Sequence, residues 1–125
     1  MKLIYLASPY LYRGHMEGIT EYDRERIQEQ RYQDALDATA YLMNMGYAVY
    51  SPIVSTHPVA VKHKLPLGSE YWIKFDEIIL RRCTEICVLT IDGWKESPGV
   101  QREIRIAMEI GMTISYLVWQ EEKIK

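Results

Sequence analysis

Apolar positions along this chain change period in a regular way, and each change marks an element. Leu3–Ala7 is a short, nearly unbroken apolar run closed by Ser8-Pro9, which predicts a buried strand. Over residues 24–44 the spacing turns helical: Ile27, Ala35, Ala38, Leu42 and then Met45 share a side, and Gly46 fits a C-terminal cap. Residues 47–50 predict a second strand, stopped by Ser51-Pro52, and 53–68 read as a long connection. Helical spacing returns over 70–83, with Trp72, Phe75, Ile79 and Cys83 as the inward stripe. A strongly apolar third strand covers 85–91, a helix runs on from Val100 to a stop at Gly111, and 113–118 is a fourth strand. Four near-continuous apolar strands alternating with three helices predict an α/β fold, a parallel sheet covered on both faces.

At 125 residues the chain has room for one domain, taken as 1–125, with a real core but not two. Its 48% hydrophobic and 26% charged residues are ordinary for a soluble globular protein. A net charge of −2 gives no electrostatic case for binding a nucleic acid polymer. No apolar run approaches the roughly 20 residues that span a bilayer, so no membrane contact is expected. The N-terminus enters a strand directly and does not read as a signal peptide. Cys83 and Cys87 sit in apolar surroundings and read as buried thiols, with neither a metal site nor a disulfide expected. A cytoplasmic protein is the expectation.

Against this ordinary background two carboxylates stand out. Stepping about 100° per residue from Val100, Ile104, Ala107, Met108 and Gly111 cluster on one side with Ile106 and Ile110 beside them. Gln101, Arg102, Arg105 and Glu109 take the wet side, yet Glu103 falls inside the apolar arc. Asp76 lies one turn after Trp72 and one turn before Leu80, on or beside the other inward stripe. A charge there needs a partner or a function. Either acid alone has a bland reading as a salt bridge or a helix flank; two flanking one buried strand point to a site. The connections over 9–22, with Tyr10, Tyr12, Arg13, Gly14 and His15, and over 53–68, with His57, Lys62, His63 and Lys64, both leave carboxyl ends of strands. Ligands of open parallel sheets bind outside those ends, so Ser8, Ser51, His57, Asp92 and Ser97 are expected on one rim.

Ser97-Pro98-Gly99 opens a helix, whose first N–H groups are free to meet an anion. It reads equally as a plain N-cap with Pro98 at the first helical position, and the two roles are compatible. Helical side chains lean towards the N-terminus, so Glu103 would approach whatever that turn holds. A carboxylate beside an anchored phosphate suits attack on an anomeric carbon through an oxocarbenium-like transition state. Asp76 would then manage protons on the leaving group or position the sugar. Trp72 and Trp94 could stack on a nucleobase, although most aromatics pack. His57 is more often a merely exposed loop histidine than a ligand. Arg31, on the inward side of its helix, is more often structural. No Ser-His-Asp set, P-loop or Cys/His metal cluster is present.

These residues carry a resemblance. Ile4-Tyr5-Leu6-Ala7-Ser8-Pro9-Tyr10, Arg31, the stretch from Gly46 to Ser51-Pro52-Ile53, His57, Trp72 with Asp76, Asp92-Gly93-Trp94 and Ser97-x-Gly99-Val100-x-x-Glu103 follow one another in a familiar order. The chain resembles the nucleoside 2-deoxyribosyltransferase-like superfamily, and within it a small bacterial and phage branch of the DUF1937 type, near the nucleoside 5′-monophosphate N-glycosidases. That resemblance implies a flavodoxin/Rossmann-like three-layer sandwich with a sheet of four to five strands. It implies Glu103 as nucleophile, Asp76 as assisting acid and Tyr5 as the residue that orients the nucleophile. Ser97 and Gly99 would hold a 5′-phosphate, with Ser8, Pro9, Ser51, His57, Trp72, Asp92 and Trp94 completing the substrate-binding set. No cofactor is implied, and a homo-oligomer is. The tail, 119–125, lacks the asparagine that free-nucleoside transferases borrow from a neighbouring subunit, which leaves hydrolysis ahead of transfer. Two other readings stay open: a nucleotide sensor on the same fold, and an interaction protein whose acids pair with Arg31 and Arg82.

Overall fold

A computed structural model of the chain describes residues 1–10, 18–65 and 70–119. Tyr12, Arg13, Gly14 and His15 of the first connection, Gly68 and the tail beyond Trp119 lie outside the described residues. The order is β1 (Leu3–Ala7), α1 (Glu21–Asn44), β2 (Ala48–Tyr50), α2 (Pro52–His63), α3 (Glu70–Leu80), β3 (Glu85–Leu89), α4 (Pro98–Glu109) and β4 (Thr113–Leu117). All strands are parallel, in the spatial order β2-β1-β3-β4, with Ile4 opposite both Val49 and Glu85. The result is the three-layer α/β sandwich that the alternation predicts.

Period-two alternation splits the core. Ile4 and Leu6 of β1 join Cys87 and Leu89 of β3 on one face, against Ala38 and Leu42 of α1. Tyr5 and Ala7, with Ile86 and Val88, face the other way into Leu80 and Cys83 and the α4 residues Val100, Ile106 and Ala107. One step along β1 therefore changes helical layers, and it puts Tyr5 on the side of α3 and α4.

Four differences from the sequence reading have local causes. α1 starts at Glu21 rather than 24 because Thr20 and Asp23 form a reciprocal capping box. The connection over 53–68 holds a fourth helix, α2. Ser51 caps it by accepting from Val54 N–H at 3.2 Å, and Pro52 pre-sets its first turn. Pro58 and the β-branched Ile53, Val54 and Val59 disguise that helix, and it closes at Lys64 in a left-handed conformation. In α3 the inward stripe is rotated: Leu80 is fully buried while Phe75 is exposed, which brings Asp76 to its centre. In α4 the inward arc ends at Ala107, so Met108 and Ile110 are exposed. No described helix is long and apolar enough to cross a membrane.

Candidate active site

Three elements that each leave the carboxyl edge of the sheet enclose an open cleft of about 210 Å³. Ser8 follows β1, Pro52, Ile53 and Thr56 open α2, and Ser97, Pro98 and Gly99 open α4. Trp72, Ile73 and Asp76 of α3 form another wall, with Tyr10, Arg102 and Glu103 completing the lining. Pockets that bury a drug-sized ligand run to about 300–1,000 Å³. The cleft therefore suits a sugar-sized group with its substituent extending outwards.

Glu103 is 8% exposed, held there by its place between Val100 and Ala107 on the inward arc of α4. The Tyr5 hydroxyl donates to Glu103 Oε2 at 2.5 Å, the length of a charge-assisted O–H···O bond. Burial pushes the Glu103 carboxyl up to about 8; the Tyr5 bond and Arg102 oppose that rise, and Asp76 adds to it. Burial likewise lifts Asp76 to about 7, with Arg102 opposing. Tyr5 is raised well above its ordinary range by burial and by Glu103, so it stays a donor at any working pH. The two carboxyls therefore titrate as a coupled pair, both raised towards neutrality or beyond by burial.

Polar atoms here are under-used. Ser8 Oγ, Asp76 Oδ1 and Arg102 Nε are buried without a hydrogen-bond partner, and all three residues line the cleft. Native proteins leave few such atoms unpaired, and those they leave call for an explanation. Among the described residues no ion pair involves Asp76, Glu103 or Arg102. The acids are thus not spent on Arg31 or Arg82. Arg31 instead donates to the carbonyls of Tyr10 at 3.5 Å and Asp92 at 3.2 Å, tying the turns after β1 and β3 together.

Of the residues singled out in the sequence, Glu103, Asp76, Ser8, Trp72, Ser97 and Gly99 line this one cleft, with Tyr5 directly behind Glu103. The others lie elsewhere. Pro9 is buried, and Ser51 is a buried helix cap. His57, expected on an exposed loop, is buried within α2: it accepts from the Tyr10 hydroxyl at Nδ1, donates to Glu29 at Nε2 and stacks on Tyr32 at 4.3 Å. It faces a separate groove between α1 and α2. Asp92 is exposed beside Thr90 and Trp119, and Trp94 packs on Tyr116 at 5.7 Å. Arg102, read as a wet-side residue, belongs to the cleft, as does Tyr10. Arg102 stands three residues after Gly99 and so shares its face of α4; that spacing was the available signal.

Fold and cleft together define a doubly wound α/β domain with a paired-carboxylate cleft at the carboxyl edge of its sheet. The chain belongs to the family described as "Domain of unknown function (DUF1937)", whose profile matches residues 2–121. A search of curated proteins finds no match.

Proposed function

We propose that the protein is an N-glycosidase of the nucleoside 2-deoxyribosyltransferase-like superfamily, acting on a nucleoside 5′-monophosphate. The observation that carries this reading is Glu103, buried at the cleft wall, oriented by Tyr5 and accompanied by a second acid, Asp76, with an unpaired oxygen. A Glu103 oxygen attacks C1′ as the C1′–N bond breaks, and the base leaves with the bonding electrons. Asp76 supplies the proton that the leaving nitrogen takes up. Water, giving a proton back to Asp76, then attacks C1′ and breaks the ester to Glu103, releasing the sugar phosphate. A second base in place of water would make the same intermediate serve transfer. In the free protein Glu103 holds its proton more tightly than Asp76, so the productive form, with Glu103 ionised and Asp76 protonated, is the one that the Tyr5 donor and the cationic character of the sugar in the transition state favour. Family analogy extends the proposal to a homo-oligomer and needs no cofactor.

The direct test is chromatography for free base after incubation with each nucleoside and its 5′-monophosphate. Release from monophosphates is expected; release from none of them, with a nucleotide retained intact, would establish the sensor reading instead. The pH dependence follows from the pair. Below about 7 it gains a second proton and loses the nucleophile, and above about 8 it loses the proton for the base. A bell-shaped kcat/KM centred near 7.5 is expected, and Asp76→Asn should abolish its alkaline limb. A flat profile over pH 6–9 would contradict the pair.

Gly99 supplies a separate check. Its φ is not positive, and an added Cβ would meet only Ser97 Oγ at 3.9 Å, so neither backbone nor packing requires glycine. Gly99→Ala should leave stability unchanged or raised by up to about 1 kcal/mol. It should nevertheless lower kcat/KM for monophosphates by about tenfold, because the methyl fills space meant for the ligand. Equal loss on unphosphorylated nucleosides would remove the phosphate from that turn.

A further inference from the structure

We propose that Arg102 is the specificity-determining residue of the cleft, the cation that binds the substrate's phosphate opposite the opening turn of α4. The inference rests on the glycosidase reading for the identity of the substrate but not for the existence of the anion site.

Arg102 lies in the cleft wall one residue before Glu103 and one turn after Gly99. It is half-buried, its Nε is closed off from water without a hydrogen-bond partner, and no ion pair holds it among the described residues. A guanidinium taken partly out of water without a counter-ion is destabilising, and its planar fork matches phosphate oxygens. Asp76 and Glu103 feel the charge of Arg102, but among the described residues neither forms an ion pair with it. The other groups of the same wall are donors. Ser97 Oγ accepts from Val100 N–H at 3.2 Å, which leaves its own O–H to donate. Pro98 has no N–H and that of Val100 is taken by Ser97, which leaves the Gly99 N–H as the first-turn donor without a partner inside the helix and with no side chain in the way. Arg102 therefore supplies full charge where the helix end supplies partial charge. A dianionic phosphate between them also places the sugar ring that bears it near Glu103 on the same helix.

An alternative role for Arg102 is electrostatic only, lowering the proton affinity of Asp76 and Glu103. The two roles separate in a binding experiment that needs no turnover. Ribose 5-phosphate, its 2-deoxy analogue and the two unphosphorylated sugars are titrated calorimetrically into wild type, Arg102→Gln and Arg102→Lys. Arg102→Gln should weaken the sugar phosphates by tenfold or more and the free sugars by less than threefold, with Arg102→Lys in between. Less than threefold loss for the phosphates in Arg102→Gln, or equal loss for phosphorylated and free sugars, would overturn the proposal. So would wild type that binds no sugar phosphate. Circular dichroism of both variants establishes that they are folded, and Arg102→Lys keeps the charge if the Gln variant is not. Base release by wild type is read separately. Its absence, with phosphate binding still lost in Arg102→Gln, would overturn the glycosidase and leave the anion site standing.

Discussion

Glu103→Gln is expected to remove base release, by at least about a thousandfold, and at the same time to make the protein harder to unfold at alkaline pH. The first effect follows from losing the proposed nucleophile of the proposed covalent mechanism, for which the amide offers no substitute. The second follows from burial. The carboxyl is raised from an ordinary 4.5 to about 8 in the folded protein, so between those values the folded state binds more protons than the unfolded one. Its contribution to stability is full below about 4.5 and is lost as pH rises through about 8. Glutamine stays neutral and loses nothing over that range. The full linkage figure is an upper bound, because the amide is a poorer match for the Tyr5 hydroxyl. A gain of about 2–3 kcal/mol at pH 9, on the order of 10 °C in Tm, is a fair expectation. Thermal melts of both proteins at pH 5 and pH 9 check the sign. A Tm difference that does not grow with pH, or turnover that survives in the variant, would contradict the place given to Glu103.

Gly93→Ala should destabilise the protein by roughly 3–4 kcal/mol, although the residue touches no part of the cleft. Gly93 has φ +94°, where L side chains are strained, and an added Cβ would stand 2.3 Å from Arg31 Nη2 and 3.2 Å from its Cζ. Arg31 is only 8% exposed and cannot swing aside without abandoning the carbonyls that it bridges. Backbone strain thus adds to the displacement of a buried guanidinium. Introducing Gly93→Ala into an Arg31→Ala background should recover the steric part and leave only the backbone part. Denaturant unfolding of the four proteins measures this, and strictly additive losses would show that the two residues do not meet.

How far the sequence carried the fold and the site can be read from particular residues. The strands were legible because both faces of β1 and β3 are buried, and apolar runs such as Ile86 to Leu89 leave little room for another reading. Glu103 was legible because a lone acid in an apolar arc violates the pattern around it. α2 was not, since Pro58 and its β-branched neighbours match loop chemistry while Ser51, Pro52 and packing against α1 make a helix of them. His57 moved with it from a rim to an interior. Arg102 was misplaced for a different reason. A helical wheel divides apolar from polar, and a polar wall of a cleft counts as polar on such a wheel. Only the position of α3 across from α4 separates a residue facing water from one facing a ligand.

The Tyr5–Glu103 hydrogen bond joins residues 98 positions apart. The first strand and the last described helix therefore meet at one oxygen, and neither half of the chain carries the complete site. Contacts of such high sequence separation form only after the entropy of closing the intervening chain has been overcome. β1 must be seated between β2 and β3 before its tyrosine points at anything. A ribosome-bound chain that has released β1, β2 and β3 but lacks α4 would hold Tyr5 and Asp76 without their partner. The candidate site is thus completed only once α4 has emerged, and all at once.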